Sequence, residues 1–324
     1  MKDAGGDGFD SFVSELYRSG LSVPPEGYRA WALHCLKPLI PFDAALWGSG
    51  NVRNWRFHTT TLVGVPEEYP RALEETRAIN PMIPKIVTNL DTPIDMESCV
   101  PDRKFFASEF YERAFKPFNI SRILSTVHVE PRSGLVSLLS LYRHSRRASF
   151  TPDEKALHKR ATFHLFQAAS HAYFLHLLRT FIEEREAGGA AAVVDREGAF
   201  HEVQPQFLDL LEKHFRGKRL NRLPFSTPPV GDTRHYEGLC VKAEPVGDLS
   251  CVIVWEAGPL DRLTHRERET VYAVTQGLSF KQAARKIGVA PSTVANHLYR
   301  IYRKLGVNSR SELAGLVYPN AADQ

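Results

Sequence analysis

The feature that most constrains this 324-residue chain is the helix punctuation of its final segment. Thr264-His265-Arg266-Glu267 is a capping box, in which a threonine and a glutamate three residues on satisfy each other's orphan backbone amides. Gly277 closes the helix it opens, because glycine takes the left-handed turn at a helix end without strain. Ser279-Phe280-Lys281-Gln282 is a second box, opening a short helix that ends before Gly288. Pro291 sits at the start of a third helix running to Lys304, Gly306 stops it, and Ser309-Arg310-Ser311-Glu312 caps a fourth. Four short helices must follow one another here.

The second and third of these helices are joined by a Gly288-Val289-Ala290 turn. Ala283, Ala284, Ile287, Val289, Val294, Leu298 and Ile301 recur at helical spacing and form an inward face. The other face of the third helix carries Ser292, Ala295, Asn296, Tyr299, Arg300 and Arg303. Two short helices in this arrangement, the second rich in donors and cations, are what enters a DNA major groove. Charge agrees: from Leu260 to Gln324 there are ten Lys/Arg against five Asp/Glu, a net +5, while the preceding 259 residues carry −1. An excess confined to one end points to a polyanion partner for that end.

From Leu263 to Val317 the sequence resembles the LuxR-type helix-turn-helix. The resemblance rests on Leu263-Thr264-x-Arg266-Glu267, Gly277-Leu278-Ser279, Ala283-Ala284, Gly288-Val289, Thr293-Val294, His297-Leu298, Ile301-Tyr302, Lys304-Leu305-Gly306-Val307 and Ser309-Arg310. It implies a sequence-specific transcriptional regulator of double-stranded DNA, working as a homodimer, with RNA polymerase a further partner. The helix from Pro291 becomes the recognition helix, with Ala295, Asn296 and Tyr299 toward the base edges and Ser292 on the same face. Phosphate contact falls to Lys281, Thr293, Arg300, Arg303 and Lys304. Ala295 stands where the family usually has lysine, so it offers a thymine methyl contact and no charge, while Asn296 can pair bidentately with adenine. The helix near Ser311 resembles the family's dimerising helix.

Upstream, strands and helices mix without a βαβ rhythm, which favours antiparallel α+β domains. Strands are expected at Ala44–Trp47, Arg56–Val63, Arg122–Val129 and Leu135–Tyr142, and helices at Tyr28–Leu39 and Ser108–Phe115. Thr151-Pro152-Asp153-Glu154 is a strong start for a helix of some 33 residues, since neither proline nor glycine occurs from Asp153 to Ala187. Its stripe of Ala161, Leu165, Ala168, Ala172, Leu175, Leu178 and Ile182 fits either a face packed on its own domain or a dimer seam. A second, smaller α+β segment follows: strands at Ala191–Val194, Ala199–Val203, Leu239–Glu244 and Ser250–Trp255, with a helix at Phe207–Phe215. No internal sequence repeat is visible. The stretch from Phe110 through Ile120, two strands and the long helix resembles a GAF-type domain, and the Asp195-Arg196-Glu197-Gly198 hairpin with its helix resembles a shortened PAS-type domain. The expected architecture is therefore a sensory α+β region with antiparallel sheets, GAF-like over 1–185 and PAS-like over 190–258, then an all-α four-helix DNA-binding domain over 260–324. Neither a receiver domain nor the acyl-homoserine-lactone-binding class is matched.

These resemblances imply an unidentified small-molecule effector, and Trp47, Trp55, Phe57, Phe106, Tyr111 and Phe115 are the aromatics that could line its pocket. His164, His171 and His176 lie too far apart along their helix for one metal, which leaves surface or packed histidines. Asp195 reads as a turn residue. No phosphate loop, nucleophile elbow, metal signature or cofactor motif is present. Four scattered cysteines, without a Cys-x-x-Cys pair, read as thiols in a reducing cytoplasm. The chain has no apolar window of 18 residues and no secretion signal, so no membrane partner is expected. The alternative is an enzyme, a GAF-type thiol-dependent reductase with a regulatory DNA-binding tail; it would need Cys35 or Cys99 to be reactive.

Overall fold

The computed structural model describes residues 4–52, 56–181, 189–217 and 220–317, and the chain divides into two compact units, Met1–Arg234 with Val241–Val254, and His235–Cys240 with Trp255–Gln324. In chain order the first module contains α1 (Ala4–Arg18), α2 (Pro25–Leu36), β1 (Ala44–Asn51), β2 (Phe57–Val63), α3 (Tyr69–Glu75) and α4 (Ile83–Thr88). It continues with β3 (Ile94–Asp95), α5 (Met96–Cys99), α6 (Asp102–Phe105), α7 (Glu109–Ala114), β4 (Arg122–Val129), β5 (Leu135–Arg143) and α8 (Pro152–Phe181). The second module contains β6 (Ala190–Val194), β7 (Phe200–Val203), α9 (Pro205–His214), β8 (Thr233–Tyr236), β9 (Leu239–Val246) and β10 (Leu249–Glu256). The remaining helices are α10 (His265–Thr275), α11 (Phe280–Ile287), α12 (Pro291–Leu305) and α13 (Arg310–Val317).

The first sheet has the order β2-β1-β5-β4-β3 and the second β7-β6-β10-β9-β8. Counted within each module, the strand order is the same. The expected antiparallel α+β region is what the chain forms, and its shared topology is a repeat the sequence does not display. In the first sheet, β1 pairs antiparallel with β5 across ninety residues of chain, as in Ala44 with Tyr142 and Trp47 with Leu139. Strand alternation then separates two cores. Ala45, Trp47, Leu124, Leu139 and Leu141 face α1, α2 and α8, whereas Leu46, Ile123, Val127, Val136 and Tyr142 face α3 to α7.

The long helix forms as expected from its box: Thr151 N–H donates to Glu154 at 2.8 Å, and Glu154 N–H donates to the Thr151 hydroxyl at 3.2 Å. Its stripe is settled by packing. Ala161, Leu165, Ala168 and Ala172 are buried in the first core with Phe12, Leu33 and Leu36, so this stretch of the stripe packs on its own domain and is no dimer seam. Ile182 and the helix's expected last turn lie outside the described residues. No described helix is long and apolar enough to cross a membrane.

Candidate DNA-binding face and ligand cavity

The four C-terminal helices start and stop where the punctuation places them. Thr264 and Ser279 close capping boxes with Glu267 and Gln282, and Ser309 accepts from Glu312 N–H at 3.1 Å. Gly288 and Gly306 end α11 and α12 with φ of +70° and +69°, the left-handed geometry that only glycine adopts freely. Ala283, Ala284, Val294, Leu298 and Ile301 are buried together with Val271 and Val274 of α10, and Ile287 and Val289 pack against them half-buried. That core fixes the rotation of α12 about its axis.

The rotation leaves one face of α12 in solvent. Ser292, Ala295, Asn296, Tyr299, Arg300 and Arg303 are all exposed, Tyr299 to 65%, and Thr293 is half-buried. Arg300, Arg303 and, on α11, Lys281 are exposed and form no ion pair among the described residues, so their donors are available to an incoming anion. Lys304 is different. Its Nζ lies 2.9 and 2.7 Å from the two carboxylate oxygens of Glu267, a residue only 5% exposed. Burial alone would raise the Glu267 carboxyl, but the Lys304 ammonium and the Thr264 N–H and hydroxyl together hold it below its ordinary range. Lys304, expected at a phosphate, thus also ties α12 to the start of α10. Arg310 likewise donates inward, to the carbonyls of Val274 and Leu278 at the end of α10.

The first module holds a partly open cavity of about 520 Å³ against the sheet face turned to α3 and α4. Its walls are mainly apolar, from Leu73, Met82, Ile86, Ile123, Val136 and Leu138, with polar groups set among them. Ser125 and Ser140 hydroxyls share a hydrogen bond of 2.7 Å on the sheet, beside Tyr142, whose phenol burial pushes up to about 12. Arg56, Arg77, Asn51 and Asn80 also line it, as does Glu74, whose Oε1 accepts from Phe57 N–H at 3.0 Å. Gly48 makes room for the aromatic wall: a Cβ there would lie 2.5 Å from ring carbons of Phe57.

Of the expected pocket aromatics, Phe57 and Phe115 line this cavity. Trp47 does not; its parity in β1 turns it to the opposite sheet face, 5.5 Å from Phe166 and under the Arg29 guanidinium. Phe106 and Tyr111 are spent on each other, edge to face at 4.9 Å, with Arg146 stacked 4.0 Å from the Phe106 ring. Trp55 lies outside the described residues. Met82, Ile86, Ser125, Ser140 and Tyr142 were not anticipated, although the alternation of β4 and β5 would have put Ser125, Ser140 and Tyr142 on one face.

Neither Cys35 nor Cys99 has surroundings that favour a thiolate. Burial raises the Cys35 thiol, with Glu15 adding to it, and burial raises Cys99 against smaller opposing effects of Ser98 and Lys85. They also pack against different cores. Asp195 is a turn residue, its Oδ1 accepting from Glu197 and Ala199 N–H at 2.9 Å each. Among the described residues, no group of three potential ligands is placed to hold a metal ion. The expected helical histidine His164 instead packs against Phe9 and Tyr17.

Comparison with known proteins bears on the C-terminal segment. Residues 261–317 match the family described as bacterial regulatory proteins, luxR family. Over 58 residues, 18% of this chain and 30% of the relative, it is 41% identical to the transcriptional regulatory protein UhpA of Salmonella typhimurium. An HTH-type transcriptional regulator of Mycobacterium bovis is 47% identical over 51 residues, 16% of this chain and 6% of that protein. The chain thus spans under a third of the length of these curated relatives. Among solved structures, SdiA in complex with octanoyl-rac-glycerol aligns over 98% of this chain and 96% of its own at 13% identity and a TM-score of 0.40. The transcription factor CepR2 of Burkholderia cenocepacia aligns over 53% of this chain and 98% of its own, at 16% identity and a TM-score of 0.36. Caps, core, exposed donor row and family match all coincide on one stretch of sequence: residues 261–317 are a LuxR-type helix-turn-helix domain.

Proposed function

We propose that the whole chain is an effector-responsive transcriptional regulator, in which 1–185 and 190–258 are GAF-like and PAS-like sensory modules and 260–324 binds DNA. One observation carries the reading: α12 presents Asn296, Tyr299, Arg300 and Arg303 on a single solvent-facing row, held at fixed rotation by a buried face of Val294, Leu298 and Ile301. Asn296 reads an adenine edge, Ala295 a thymine methyl, and Arg300, Arg303 and Lys281 contact phosphates. One such helix makes few base contacts, so useful specificity calls for a homodimer on two half-sites, with α13 the dimerising helix.

The cavity supports the sensory half. Its volume lies in the range that encloses a small organic ligand, and apolar walls with a hydroxyl pair and a few charged groups suit an amphipathic molecule. The common strand order of the two sheets supports giving both modules one type of role. An effector that prefers one arrangement of the dimer shifts its population, and by reciprocity operator DNA tightens effector binding. Selection of random duplexes by the full chain tests the reading; enrichment of a two-fold symmetric site is expected, and recovery of unselected sequence would overturn it.

A further inference from the structure

Within the first compact unit, β7 of the second module lies against β1 and β5 of the first. At one end of that seam the imidazoles of His58, on β2, and His201, on β7, stack with centroids 4.0 Å apart and planes inclined by 36°. His58 Nδ1 meets the Thr59 hydroxyl at 3.0 Å, while its Nε2 is buried without a hydrogen-bond partner. His201 Nε2 lies 3.7 Å from Asp195 on the β6–β7 turn. Next to them, Arg29 of α2 donates to Glu202 of β7 at 2.9 Å, with Tyr173 of α8, Glu26 of α2 and the buried Cys251 of β10 the further titratable groups around that ion pair.

This environment resists a proton. Burial, then His201, then the Arg29 guanidinium push His58 down to about 3, against a weaker pull from Asp195. Burial also lowers His201, with Asp195 opposing. Two cations 4.0 Å apart in a half-buried seam repel strongly, and a proton on the orphaned Nε2 would leave its N–H with no acceptor. On a separated module each imidazole would be in water with an ordinary affinity for protons, near pH 6.5.

We propose that His58 and His201 form a proton-sensitive latch between the two sensory modules, closed while both rings are neutral and released as they charge. The sign follows from linkage. Both histidines have depressed affinities in the closed state, so their contribution is complete above about pH 6.5 and is lost as pH falls, by up to about tenfold in closing equilibrium per histidine per pH unit. His58 directly follows Phe57, which lines the cavity, so release of the latch acts on the strand that also walls the ligand space. The latch does not depend on what fills that space or on DNA.

Amide hydrogen exchange of the full chain, corrected for intrinsic rates, tests it between about pH 7.5 and about pH 5.5. Protection of β7 should fall by tenfold or more over this interval relative to β4, which belongs to the first module's core. His58→Phe/His201→Phe keeps the ring stack without the protons, and its β7 protection should be flat. Should the double variant not fold, His58→Gln alone should remove about half of the logarithmic dependence. Burial raises the Glu202 carboxyl despite Arg29, so its protonation favours the closed seam on acidification and works against the histidines. A fall in β7 protection on acidification that survives in the histidine variants would overturn the latch, as would flat protection in the unaltered protein.

Discussion

The helix-turn-helix and the first α+β module solve opposite problems with similar cores. In the former, caps and stop residues set each helix locally, and the chemistry is turned outward on α12. In the latter, β1 lies between β2 and the sequence-distant β5, and the cavity lies on one face of the resulting sheet. Local rules therefore suffice to locate an exposed row of donors and cations, whereas a cavity built on a sheet depends on pairings that span most of a module.

Core truncations on the two sides give the largest effects and sharpen this contrast. Leu298→Ala should cost about 2–5 kcal/mol and abolish DNA binding at moderate temperature, and Leu139→Ala should cost as much in the first module. Hydrogen exchange should place the first loss in α10–α12 and the second in β1 and β5; loss spread evenly over both regions in either variant would break the distinction. Next in size is Asn296→Ala, which should change base preference by about 1–3 kcal/mol while leaving nonspecific affinity intact. An unchanged preference in a selection experiment would remove Asn296 from base reading.

The smallest effect concerns Lys304 and Glu267. The carboxyl is held below its ordinary range in the folded domain, so its contribution is complete above about pH 4.3 and is lost as the solution is acidified. Lys304 is 40% exposed, which limits the pair to below about 1 kcal/mol. Glu267→Gln should flatten this acid dependence of the melting temperature, and Lys304→Met should lower stability without altering the salt dependence of DNA binding. A drop in salt dependence for Lys304→Met would return that residue to the phosphate contacts.

Particular residues show where sequence was readable and where it was not. Thr264, Ser279, Gly288 and Gly306 each act within four residues of themselves, so their effect on α10, α11 and α12 was legible. Trp47 was misplaced because β1 is buried on both faces, which erases the alternation that would have told one face from the other. Lys304 follows Arg300 by four residues, so helical spacing puts it on the basic row; only the docking of α10 on α12 brings Glu267 within reach. β3, only two residues long, and β8, with Thr233, Arg234 and His235 exposed, carry no alternating apolar pattern to find. His158, packed at zero exposure between Thr126 and Thr162 with its basicity pushed down to about 3 by burial, likewise reads in sequence as an ordinary polar position.

The central proposal is that Arg300 and Arg303 on the exposed row of α12 contact DNA phosphates. Affinity of the full chain for a duplex, measured from about 50 to about 200 mM salt, tests it most directly. Arg300→Ala/Arg303→Ala should weaken binding across all sequences and reduce the slope of log affinity against log salt by about two. A slope equal to that of the unaltered protein would contradict the account.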